Sequence, residues 1–136
     1  MLSRAQRHVI LVESIRANVP KAALALEAID AGVNVRTELA SLHRALHLMK
    51  SDAQAAGLHD VARPLDHVER MVEASREFTG HEVDARLVTA MLEAVDDAGR
   101  RLAQGQTPML PEALRTDAEK AGAEARQRLR SRIRPA

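Results

Sequence analysis

The stretch VRTELASLHRALHLMKSDAQAAG, residues 35–57, has an apolar residue at every third or fourth position and ends in glycine. Apolar residues at this spacing lie along one side of an α-helix, so the stretch predicts a helix with one buried face. Asn34 is a candidate N-cap, and Gly57 is a candidate C-terminal stop. The predicted buried positions are Val35, Leu39, Leu42, Leu46, Met49, Ala53 and Ala56.

The same spacing recurs in one segment before this helix and in two segments after it. The first segment continues in phase across Pro20 to Gly32, which predicts one kinked helix or two helices nearly end to end. The third segment has Asp60 as a candidate N-cap, which would put Pro64 in its first turn. The three apolar stripes are Ala5, Val9, Val12, Ile15, Val19, Ala22, Leu26 and Ile29; Val61, Leu65, Val68 and Val72; and Val88, Met91, Val95, Ala98 and Leu102.

Short connections make neighbouring helices antiparallel, so these four segments predict an all-α, up-down antiparallel four-helix bundle over residues 1–104. The stripe of the fourth helix, between Gly80 and Gly105, is expected to pair with that of the third. Residues 105–136 predict a loop from Gly105 to Pro111 and an additional C-terminal helix from about Pro111 to Ile133. The apolar residues of that helix are mostly alanines, so we expect it to pack loosely on the bundle or to serve as a linker.

The amino-acid composition excludes several fold types and kinds of site. The chain has 136 residues, 46% of them hydrophobic, with one aromatic residue and no cysteine, which disfavours a β-fold and excludes disulfides and thiolate chemistry. The net charge is +1, and no apolar run approaches the ~18 residues that cross a membrane. We therefore expect a soluble cytoplasmic protein, without membrane or nucleic-acid partners, that is a monomer. A basic C-terminal end is interpreted as a solvated helix terminus; its arginines are Arg126, Arg128, Arg130, Arg132 and Arg134.

A polar stripe borders the buried face of the second helix and contains His43, His47, Lys50 and Gln54. A histidine at this edge has its inner atoms packed and its outer nitrogen open to solvent. A lysine one turn away on the same face suits a site that holds a multiply charged anion. The small residues that follow, Ser51 to Gly57, leave a low surface on which another protein can dock.

The segment RALHLMKSDA, residues 44–53, resembles the Arg-x-x-His-x-x-Lys-Gly-x-Ala motif of histidine-containing phosphotransfer domains. These domains occur in hybrid-kinase relays and in chemotaxis kinases of bacterial two-component signalling. The resemblance continues without gaps through Gly57 to Glu69 and Val72. It implies that His47 is the phosphoacceptor, that Lys50 supports the phosphoryl group, and that Glu69 receives the proton of the other ring nitrogen.

Three positions depart from the family pattern. Ser51 replaces the usual glycine, and His43 replaces a large apolar residue. Asp66 stands where chemotaxis-type domains often have a second histidine, and its negative charge is expected to affect the rate of phosphorylation more than its site. His67 lies about 100° further around the helix, so it is not counted as a substitute. His8, His59, His67 and His81 are expected at the surface or at helix ends.

The resemblance implies a phosphorelay intermediate. A sensor kinase, or the receiver domain of a hybrid kinase, would phosphorylate His47, and an aspartate of a response regulator would remove the phosphoryl group. The chain would need no cofactor of its own, because the magnesium belongs to the partner receiver domain. It would not be an enzyme, since no Gly-rich phosphate loop indicates an ATP site.

Three alternatives remain open on the sequence. The chain is the amino-terminal domain of a chemotaxis-type kinase, or a degenerate bundle that docks a partner without being phosphorylated, or a metal-binding bundle. For the last, His43 and His47 are four residues apart and Glu69 supplies a carboxylate, but two histidines and one acid fall short of a full zinc ligand set.

Overall fold

The computed structural model describes residues 1–131, and these residues form five α-helices without any strand. The all-α prediction is therefore confirmed. The helices are α1 (Arg4–Asp30), α2 (Val35–Ala55), α3 (His59–Glu77), α4 (Ala85–Ala103) and α5 (Glu112–Ser131). The predicted helix end at Ile133 and the tail residues Arg132 and Arg134 lie outside the described residues.

Helix α1 is continuous over 27 residues and contains Pro20, so the first segment forms one helix and not two. Ser3 and Gln6 begin it with a capping box, in which each side chain accepts a hydrogen bond from the other residue's backbone N–H. The buried stripe starts later than predicted, at Leu11, because Val9 is 55% exposed.

The connection between α2 and α3 fixes the register of the two helices that carry the polar residues. Gly57 has φ +74°. Its N–H donates to the carbonyl of Gln54, and the N–H of Leu58 donates to the carbonyl of Ala53. This is the Schellman arrangement, which ends α2 sharply. The cap prediction for α3 is wrong: Leu58 occupies the N-cap, Asp60 lies in the first turn, and Pro64 lies beyond the first turn.

A glycine of α4 lies at its contact with α1. A Cβ built on Gly99 of α4 would lie 3.1 Å from Cγ2 of Ile15 in α1, so these two backbones approach closely. The predicted core residues of α4, such as Val88 and Val95, are fully buried, but α4 lies closest to α1 and not to α3 as expected. Helix α3 packs instead between α2 and α5.

Helix α5 is more closely packed than its small residues suggested. Leu114, Ala118, Gly122 and Ala125 are buried, and Leu110 in the preceding loop is only 1% exposed. Small side chains let the helix backbone approach its neighbour, so a helix of alanines can pack tightly even though each side chain buries little area. Within residues 1–131 no helix combines the length and the apolar character needed to span a bilayer.

Candidate functional site

The polar stripe of α2 meets the buried face of α3 at His47 and Glu69. The Nδ1 atom of His47 lies 2.9 Å from Oε1 of Glu69. The Glu69 side chain is 3% exposed, whereas that of His47 is 53% exposed. An ionised carboxylate only accepts hydrogen bonds, so Nδ1 carries the ring proton and the lone pair of the neutral ring is on Nε2.

Lys50 places an ammonium group beside the same carboxylate. Its Nζ lies 3.1 Å from Oε1 and 3.2 Å from Oε2 of Glu69, and 3.4 Å from Oδ1 of Asp66. The residue is 7% exposed, so these contacts are what offsets the cost of removing the charge from water. The ammonium group and the His47 ring thus share one partner, the Glu69 carboxylate.

Asp66 is surrounded by cations, which the sequence interpretation did not foresee. Its Oδ2 accepts a hydrogen bond of 2.8 Å from a terminal nitrogen of Arg126 on α5, and Nε of Arg70 lies 3.8 Å from Oδ1. Burial alone would raise the pKa of the Asp66 carboxyl, but the charges of Arg70 and Lys50 and the hydrogen bonds from Lys50 and Arg126 together lower it. Its negative charge is therefore matched within the protein.

The missed residue is Arg126, which the sequence suggested to be part of a solvated basic end. Its other terminal nitrogen lies 3.0 Å from Nδ1 of His67. No local spacing links positions 60 residues apart, so only the packing of α5 on α3 reveals the contact. His67 itself is buried, at 8% exposure, so its predicted surface position is wrong. Burial, followed by the charge of Arg126, lowers the pKa of His67.

His43 forms the far wall of the site. Its ring stacks on that of His47 at 6.4 Å between centroids, with the planes 9° apart. Its Nε2 is buried without a hydrogen-bond partner in the described part of the chain, 4.0 Å from Oε2 of Glu69. Burial lowers the pKa of His43 despite the nearby Glu69. A neutral ring here fills the space that an apolar side chain would fill, which fits its position against the core.

The remaining predicted residues lie around this centre. Arg44 and Gln54 are exposed on α2, Ser51 is half-buried, and Gly57 ends the helix. Leu48, next to His47, is 39% exposed. The structure thus brings together five of the predicted side chains in one cluster and leaves the others on the surface beside it; the cluster consists of His43, His47, Lys50, Asp66 and Glu69.

Among residues 1–131 no group of three or more histidine, aspartate or glutamate side chains is arranged to hold a metal ion. The zinc alternative required His43, His47 and Glu69 to converge. These side chains lie in one cluster, but the Glu69 carboxylate also contacts Lys50 at 3.1 Å, and an ammonium at that position opposes a second cation.

Comparisons with models of protein families, with curated proteins and with solved structures find no match to this chain. Any function must therefore be argued from the side chains themselves.

Proposed function

We propose that the chain is a phosphorelay intermediate of the histidine-containing phosphotransfer type, which accepts a phosphoryl group on Nε2 of His47. One observation carries the proposal: Nδ1 of His47 is 2.9 Å from a buried carboxylate while half of the side chain is exposed. A structural histidine has no need of both features. A nucleophile needs the first to fix its tautomer and the second to reach its substrate.

The transfer follows from this geometry. The Nε2 lone pair attacks the phosphorus of an aspartyl phosphate on a receiver domain, the Nε2–P bond forms, and the P–O bond to the aspartate breaks. The aspartate leaves as a carboxylate. The proton stays on Nδ1, where Glu69 offsets the positive charge that develops on the ring. Transfer onward to a response-regulator aspartate is the same step in reverse.

Lys50 supplies a positive charge near the incoming phosphoryl group. A phosphoryl group carries about two negative charges near neutral pH, and it would be placed near the carboxylates of Glu69 and Asp66. The ammonium of Lys50 already lies between those two carboxylates, 3.1 and 3.4 Å away. A modest rotation of its flexible side chain would bring it to a phosphoryl oxygen.

The proposal includes a fold and partners. Helices α1 to α4 would correspond to the up-down antiparallel bundle of this family, with the difference that α3 packs on α2 and α5 and that α4 packs mainly on α1. The exposed face of α2 around Leu48 would receive the partner. The donor would be a sensor or hybrid kinase, and the acceptor would be a receiver domain that brings its own magnesium. The chain would act alone or as the amino-terminal domain of a chemotaxis-type kinase.

The test is phosphoryl transfer from a phosphorylated receiver or chemotaxis-type kinase of the same organism. We expect an acid-labile, base-stable label on the wild type and none on His47→Gln. His59→Gln is the matched control, because His59 is exposed at the start of α3 and should be dispensable. Equal label on the wild type and on His47→Gln would refute the assignment. Binding of the donor without any label would favour the docking-only bundle.

A further inference from the structure

A chain of alternating charges runs from α5 to the His47 ring. Arg126 contacts Asp66 at 2.8 Å, Asp66 contacts Lys50 at 3.4 Å, and Lys50 contacts Glu69 at 3.1 Å. Glu69 in turn accepts the ring proton of His47 at 2.9 Å. Three helices contribute to this series, and its outermost member is the only one supplied by α5.

Lys50 contacts the carboxylates of both Asp66 and Glu69. A second cation that pairs with one of these carboxylates therefore leaves the Lys50 ammonium free to pair with the other. Arg126 makes the shortest contact with Asp66, at 2.8 Å, and its side chain is 37% exposed. Arg70 is the other cation near Asp66, but it is 3.8 Å away and its terminal nitrogen donates to Glu73 at 2.9 Å. Arg126 is therefore the cation in closest contact with Asp66, and it competes with Lys50 for that carboxylate.

We propose that Arg126 is a positioning residue for the phosphoryl-accepting site: by holding Asp66 it leaves Lys50 beside Glu69, ready to receive the phosphoryl group on His47. Without Arg126, Lys50 would be drawn towards Asp66, and the negative charge facing the incoming group would rise by one. Helix α5 would thus be part of the site. The role in signalling rests on the proposed function, but the charge effect on His47 does not require a cognate partner.

The packing of α5 supplies an independent reason to expect a fixed contact. A Cβ on Gly122 would lie 2.6 Å from Nδ1 of His67, so α5 lies directly against the α3 turn that carries Asp66. Arg126, one turn further along α5, donates to both His67 and Asp66. Two acceptors on adjacent residues hold the guanidinium in one orientation, which a single surface ion pair would not do.

The experiment uses phosphoramidate, a small phosphoryl donor that needs no partner protein. The Nε2 lone pair attacks phosphorus, the P–N bond breaks, and ammonia leaves. Phosphorylation at His47 is measured by peptide mass spectrometry relative to His81, which lies in the loop between α3 and α4. The variants are Arg126→Gln, Arg126→Lys, Asp66→Asn and the double variant Arg126→Gln/Asp66→Asn, at low and at high salt.

We expect Arg126→Gln to lower the ratio of phospho-His47 to phospho-His81 about threefold at low salt, the size typical of an ion pair partly open to solvent. The loss should shrink at high salt. Arg126→Lys should keep most of the ratio, and Asp66→Asn should restore it in the Arg126→Gln background. A merely structural role would give no rescue by Asp66→Asn and no salt dependence.

An unchanged ratio in Arg126→Gln, or a double variant as poor as Arg126→Gln, would overturn the inference. Absence of phospho-His47 in the wild type would overturn both the inference and the proposed function. If the ratio depends on Arg126 but no cognate donor labels the protein, the positioning role stands and the relay role fails.

Discussion

At the scale of single residues, one buried carboxylate decides which nitrogen of the His47 ring carries the proton. Glu69 accepts from Nδ1 and also contacts Lys50, so its charge serves the nucleophile and the cation together. A glutamine at position 69 would have nearly the same shape, but its amide can either accept from Nδ1 or donate to it. The tautomer would then no longer be fixed.

We therefore expect Glu69→Gln to slow phosphorylation of His47 on the order of 100-fold, which is typical for the loss of a proton-holding group. Stability should fall by about 1–3 kcal/mol, because buried Lys50 keeps only Asp66 as a charged partner. Single-turnover transfer and urea denaturation measure the two effects. Glu73→Gln is the control, one turn along α3 and paired with Arg70 at 2.9 Å. Equal transfer rates in both variants would contradict the role of Glu69.

At the scale of helices, the close packing of α5 on α3 depends on Gly122, which has no side chain. An alanine at position 122 would place its Cβ 2.6 Å from Nδ1 and 2.8 Å from Cβ of His67, and the second atom cannot move without the α3 backbone. Alanine also favours the helical state over glycine by about 1 kcal/mol. Helix propensity and packing thus predict opposite signs for this substitution.

We expect packing to prevail, so Gly122→Ala should lower the free energy of unfolding by about 1–3 kcal/mol. Hydrogen exchange should show faster opening of α5 than in the wild type. Ala123→Gly, at the exposed neighbouring position, measures the propensity contribution alone. A Gly122→Ala protein more stable than the wild type would mean that α5 shifts away from α3 at little cost.

The sequence predicts the positions of the helices well, but it predicts less well which helices pack against each other. Apolar spacing located all five helices, since a buried stripe repeats within each one. The motif around His47 predicted that Lys50 and Glu69 belong to the same site. The contact between Arg126 and Asp66 depends on how two helices 60 residues apart approach each other. That approach is set by Gly122 against His67, a pair that no local pattern connects.

At the scale of the whole molecule, the question is whether α5 is an appendage or part of the folded unit. The sequence places a boundary between residues 104 and 105, and that boundary stays a prediction. The structure adds buried residues beyond it, since Leu110 and Leu114 are 1% and 8% exposed. A chain truncated after Gln104 would uncover His67 and lose the Arg126 guanidinium, the closest of the cations around Asp66.

We expect the chain ending at Gln104 to be less stable than the chain ending at Ser131 by a few kcal/mol. Burial of the two leucines alone contributes about 3–6 kcal/mol, before the entropy of ordering the helix is subtracted. The chain ending at Ser131 is the reference because it keeps every contact described above. Urea denaturation followed by circular dichroism compares the two chains. Equal midpoints and slopes would make α5 an appendage, and its contact with Asp66 would then be too weak to influence the site.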